Sequence, residues 1–185
     1  MIGDVLKATD GKMRKTVEAL AKDLAAIRAG RAHPELVENL KVDYFGVPTP
    51  LQQLASISVP EARLLIIQPW ERRILPTIEK AIQRSDLGLN PSSDGNVLRL
   101  AIPPLTEERR KDLVKTVRKR VEEGRIALRN VRREALEELR QSQKEKNISQ
   151  DEEKKGIEHL QKLTDGFIAE TDEVGKKKET ELLEI

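Results

Sequence analysis

Residues 106–140 read TEERRKDLVKTVRKRVEEGRIALRNVRREALEELR. Val114, Val117, Val121, Leu128, Val131 and Ala135 fall on steps of three and four, the spacing of one helix face, with Gly124 on the same seam and Glu138 interrupting it further on. Thr106 suits an N-cap, and Glu107 and Glu108 stand in the first turn, where the helix dipole favours anions. The polar run Ser142–Asn147 ends the helix. A single apolar stripe on so polar a helix gains little alone in water, so it needs partner helices.

Two partners are visible on either side. Met13, Val17, Leu20, Leu24 and Ile27 form a seam of the same period, stopped by Gly30 and Pro34. After the polar break, Ser149 and Glu152 make a capping-box pair. They open a helix whose seam is Ile157, Leu160, Thr164, Phe167, Thr171 and Val174, running out near Leu182 and Leu183. Three long helices with matching seams predict an antiparallel three-helix bundle built from residues 1–29 and 105–185. Residues 30–104 are then an insertion.

That insertion has a different texture. Leu40, Val42 and Tyr44 alternate with polar residues, as do Ala55, Ile57 and Val59, which is strand spacing. Leu64–Ile67 is a short apolar run expected to be a buried strand, Pro76–Arg84 a short helix, and Val97–Ile102 a last strand after turn signals at Asn90–Pro91 and Ser93–Asp94–Gly95. Trp70 is expected to anchor the core or rim of this module. The fold class is therefore α+β, a three-helix bundle carrying a small inserted β/α/β domain. Two short crossings, near Arg28–Pro34 and Ile102–Leu105, predict an L-shaped molecule with a limited hinge.

Of the 185 residues 37% are hydrophobic and 36% charged, yet the formal net charge is only +2. The neutrality hides segregation: residues 1–29 carry +2, residues 30–104 carry 0, residues 105–146 carry +5 and residues 147–185 carry −5. The absence of cysteine excludes disulfides, thiolate metal sites and thiol catalysis. His33 and His159 stand alone as surface residues. No glycine-rich phosphate loop, nucleophile elbow or H-E-x-x-H motif is present, so no enzyme activity, metal or cofactor is expected. No apolar run reaches the length of a membrane span, and the first ten residues lack a signal-peptide core, so a soluble cytoplasmic protein is expected.

The functional signal is arginine. Arg118, Arg125, Arg129 and Arg132 share one face of the second bundle helix, with Arg133 beside them and Arg109, Arg110 and Lys111 at its start. The stripe is turned roughly a quarter-circle from the apolar seam, at 100° per residue. Between Arg125 and Arg133 there is no acidic residue, so neutralisation along the helix is expected to be weak. Nucleic acid ranks first as the partner, ahead of pairing with the acidic third helix and of an acidic protein bound by a helical adaptor. Arginine favours bidentate phosphate contact. With only 2% aromatics, base stacking is not the expected mode, and structured RNA suits the stripe best.

Several segments carry a family resemblance. These are IRAGRAHPEL (27–36), YFGVPTPLQQLASISVPEAR (44–63), IQPW (67–70), EKAIQRSDLGLNP (79–91), IPPLTEERRKDLVK (102–115) and RNVRRE (129–134). In this order, and over essentially the whole length, the chain resembles the ribosome recycling factors. The resemblance implies a translation factor that works with elongation factor G and GTP to disassemble the post-termination ribosome. It implies that the bundle rests on large-subunit ribosomal RNA at the intersubunit face, as a monomer. Carried onto this sequence, Arg110, Arg129 and Arg132 would be the principal RNA contacts, with Arg133 and Arg28 supporting them; the spacing of the stripe adds Arg125 to the expected RNA-binding residues. Gly30, Arg31, Pro103, Pro104 and Leu105 would form the hinge.

Overall fold

The computed structural model describes residues 1–184. They divide into two compact units, one of residues 1–28 and 107 onward, the other Ala29–Thr106.

The first unit is a three-helix bundle of α1 (Ile2–Ala25), α3 (Glu107–Lys144) and α4 (Gln150–Leu183), the label α2 falling in the second unit. Val5 packs with Ala135, Leu139 and Leu160, and further along Met13 and Val17 pack with Leu128 and Phe167. As the numbers rise on α1 and α4 they fall on α3, so α3 runs against the other two. The seams differ in detail from their expected positions. Ile27 lies beyond α1, which ends at Ala25. Leu139 is fully buried, so the α3 seam continues past Glu138 instead of breaking there. On α4 the core face holds Gly156 and Gly175, while Ile157 and Val174 are half-buried beside it. Close helix approach explains this: a Cβ on Gly175 would lie 2.5 Å from Cγ2 of Val121.

The turn between α3 and α4 carries Lys146 at φ 60° and the buried Ile148. The Ser149–Glu152 capping box is complete: Glu152 N–H donates to Ser149 Oγ at 3.1 Å and Ser149 N–H to Glu152 Oε2 at 2.7 Å. The Ser149 backbone N–H, and after it the Ser149 side chain, hold the Glu152 carboxyl below its usual range.

The second unit contains the hairpin β1 (Lys41–Tyr44) and β2 (Val47–Pro50), followed by β3 (Ala55–Glu61), β4 (Leu64–Pro69), α2 (Leu75–Arg84), β5 (Pro91–Ser93) and β6 (Leu98–Ala101). β3, β4, β6 and β5 form one antiparallel sheet in that order. Leu65 and Ile67 of β4 meet Leu98 and Leu100 of β6 and Ile78 and Ile82 of α2 in a core that also takes Val42 and Leu51. β4 is buried on alternate residues rather than throughout.

Two strands were not expected. β2 contains Pro48 and Pro50, and β5 opens on Pro91. Both lie at sheet edges, where a missing N–H is tolerated, and their prolines give them the look of turns. Trp70 is 68% exposed rather than a core anchor, and Phe45 is 72% exposed at the hairpin tip. Phe45 and Gly46, at φ 51° and 83°, make the two-residue turn that suits a tight hairpin.

Gly30 also belongs to this unit. Its φ is 72°, and an added Cβ would lie 3.1 Å from the Leu105 side chain. Nearby, Ala32 N–H donates to Ala62 at 2.7 Å and Ile102 N–H to Arg63 at 2.8 Å, tying the segments that enter and leave the sheet domain to one β-turn.

Candidate nucleic-acid interface

The arginines of α3 are positioned by the seam beneath them. Val117, Val121, Leu128 and Ala135 are buried, Val121 beside Gly175 of α4 and Leu128 and Ala135 in clusters with α1 and α4, which fixes the helix's rotation and leaves the guanidiniums at the edge facing α4 or in solvent. Their surroundings divide the stripe into two parts.

Arg118 and Arg125 are cross-links. Arg118 Nε donates to Glu179 of α4 at 2.9 Å. Arg125 Nε donates to Asp172 of α4 at 2.8 Å, and its Nη1 donates to Glu122 one turn back on α3 at 3.0 Å. The Arg125 side chain is 32% exposed, and bonds to Glu122 and then Asp172 raise its pKa above the usual arginine value.

Glu122 also accepts from Arg129 Nη1 at 3.5 Å. The expectation of weak neutralisation along the helix is thus corrected. Glu122 stands just upstream of the acid-free window and its carboxylate spans two helical turns to reach into it.

The other part lies further along α3. Arg132 Nη1 donates to Oε1 of Gln161 on α4 at 2.8 Å, and Gln161 Nε2 donates to Asp165 at 2.8 Å. Arg132 Nε is buried without an acceptor. Arg132 is therefore held in place by a neutral group. Arg133 is exposed and makes no hydrogen bond or ion pair among the described residues, and the same is true of Arg28 beyond the end of α1. Glu134 is turned to Lys12 of α1 at 3.5 Å, so its charge is drawn toward α1. Arg110 is half-buried in the first turn of α3.

Exposed ion pairs such as Arg129–Glu122 are worth about 0–1 kcal/mol each, little enough for a phosphate to displace the carboxylate. Within the stripe, Arg132 and Arg133 make no bond to a carboxylate among the described residues, and Arg129 makes only the 3.5 Å one to Glu122. Sequence reasoning missed Glu122, Gln161 and Asp165. The available signals were the three- and seven-residue spacings from Glu122 to Arg125 and Arg129, and the flanking position of Gln161 beside the seam residue Leu160.

His33 caps a short 3-10 turn, its Nδ1 accepting from Glu35 N–H at 3.3 Å, and His159 is exposed. Among the described residues no group of three His, Asp or Glu side chains is placed to hold a metal, and no helix is long and apolar enough to cross a membrane.

Fold and surface together define a class: a two-unit α+β protein in which a long helical bundle carries an inserted antiparallel sheet domain. Comparison with known proteins gives the family. Residues 20–183 match the family model described as Ribosome recycling factor. Over its full length, and over the full length of each relative, the chain is 58% identical to the ribosome-recycling factors of Syntrophomonas wolfei and Heliobacterium modesticaldum. Its fold is similar to a solution structure of ribosome recycling factor (TM-score 0.74, 44% identity, all of this chain and 98% of that one). It is also similar to a structure that models the T. thermophilus ribosome recycling factor and E. coli elongation factor G on the E. coli post-termination complex (TM-score 0.62, 49% identity, both chains fully covered). The chain belongs to the ribosome recycling factor family.

Proposed function

We propose that the protein, with elongation factor G and GTP, disassembles the post-termination ribosome into subunits, and that it docks on large-subunit ribosomal RNA through Arg129, Arg132 and Arg133 of α3. The observation that carries the docking surface is Arg132, an ordered guanidinium whose partner is a neutral amide, beside the unpartnered Arg133. Arg110, Arg125 and Arg28 take supporting positions, with Arg125 divided between RNA and its two carboxylates. The relative seen with elongation factor G on a post-termination complex supports the choice of partners. The energy comes from the partner's GTP hydrolysis. The protein works in the cytoplasm as a monomer without a cofactor of its own.

In this reading Gly30, Arg31, Pro103, Pro104 and Leu105 form the hinge that lets the sheet domain move. Support comes from Gly30, whose left-handed backbone and contact with Leu105 bring the two connecting segments together.

The test is a polysome-breakdown assay with elongation factor G and GTP. Breakdown that depends on this protein supports the proposal, and breakdown at the same rate without it refutes the proposal.

A further inference from the structure

Arg132 and Arg125 solve one problem in opposite ways. Both reach from α3 toward α4, but Arg125 meets the carboxylates of Glu122 and Asp172 while Arg132 meets only the amide oxygen of Gln161. Arginine can only donate, and an ionised carboxylate can only accept. The amide between Arg132 and Asp165 therefore has one workable orientation, oxygen toward Arg132 and nitrogen toward Asp165, and the two 2.8 Å bonds show that orientation. Asp165 braces the amide while standing one residue removed from the guanidinium. Arg132 is half-buried, with Nε enclosed and one Nη1 proton taken by Gln161, so a phosphate would have to be met by its remaining Nη protons.

A flexible arginine loses side-chain entropy on binding, and one paired to a carboxylate must first give up that partner. Arg132 is spared most of both costs. We propose that Gln161, braced by Asp165, is a positioning residue that presents Arg132 to an RNA phosphate with its charge uncompensated. The proposal rests on the reading of α3 as the RNA-docking face. It extends that reading to α4, where an acidic helix supplies the one neutral partner the stripe requires.

The test uses the full-length chain and purified large ribosomal subunits, with affinity measured across a series of salt concentrations. Gln161→Glu replaces the amide oxygen with a carboxylate that pairs with Arg132. It should weaken binding about tenfold and reduce the slope of log affinity against log salt by about one, the signature of one lost phosphate contact. Gln161→Leu removes the anchor without adding charge and should weaken binding about threefold, the order expected when one side chain must be ordered on binding. In an Arg132→Ala background, Gln161→Glu should change affinity less than about twofold, because residues in contact are not additive.

An equal loss from Gln161→Glu with and without Arg132 would mean a general charge effect and overturn the proposal. So would Gln161 variants that bind like the parent while Arg129→Ala and Arg133→Ala bind weakly. If Arg129→Ala, Arg132→Ala and Arg133→Ala all bind normally, the docking face itself is wrong and the positioning role falls with it.

Discussion

Gly175 of α4 and Val121 of α3 are in such close contact that any side chain at 175 would force a shift, since an added Cβ would lie 2.5 Å from Cγ2 of Val121. Gly166, on the same helix, has nothing within 4 Å of its Cβ position. Alanine is a better helix former than glycine by about 1 kcal/mol, so Gly166→Ala should stabilise the protein by about 0.5–1 kcal/mol in urea unfolding. Gly175→Ala gains the same propensity but must part α3 and α4 or displace Val121, an overpacking cost of about 1–3 kcal/mol, and should come out destabilised. Adding Val121→Ala should reduce that penalty.

The two parts of the arginine stripe should separate in experiment. Arg125→Ala leaves Glu122 and Asp172 without their shared cation and should lower bundle stability by about 1 kcal/mol in urea unfolding. Arg133→Ala removes no hydrogen bond or ion pair among the described residues and should leave stability within about 0.5 kcal/mol while weakening large-subunit binding several-fold.

The capping box gives a pH dependence. The folded Glu152 carboxyl sits below its ordinary value of 4.5, chiefly because the Ser149 backbone N–H bonds to the ionised form. A lowered folded value means the contribution is complete at neutral pH and is lost as pH falls from that ordinary value through the folded one. Glu152→Gln should flatten the acid limb of a stability–pH curve measured by thermal unfolding. Ser149→Ala should cost about 1 kcal/mol at neutral pH.

Gly30→Ala puts a side chain at φ 72° and 3.1 Å from Leu105. It should destabilise the sheet domain by about 1–2 kcal/mol. If the hinge role holds, polysome breakdown slows while large-subunit affinity stays near that of the parent. Unchanged breakdown by a folded Gly30→Ala protein would remove Gly30 from the hinge.

The legible parts of the sequence were those governed by periodicity. Met13, Val17, Leu20 and Leu24 lie buried where their spacing put them, and Ser149 and Glu152 make both bonds of their motif. Hydropathy failed where shape decides: Gly156 and Gly175 occupy the α4 core face because helices touch there, which no apolar pattern reports. It failed again at β2 and β5, whose prolines mark turns in a sequence but are tolerated at a sheet edge. The arginine face was visible as a set of positions. Its division was not, because that depends on which α4 side chain faces each arginine, Asp172 at one and Gln161 at another.

The most direct measurement compares the salt dependence of large-subunit binding for the parent chain and the Arg132→Ala, Arg133→Ala double variant. Two lost phosphate contacts should lower the log–log slope by about two and weaken binding by about a hundredfold or more at low salt. A double variant that folds normally and binds with the parent's affinity and slope would contradict the assignment of α3 as the RNA-docking face.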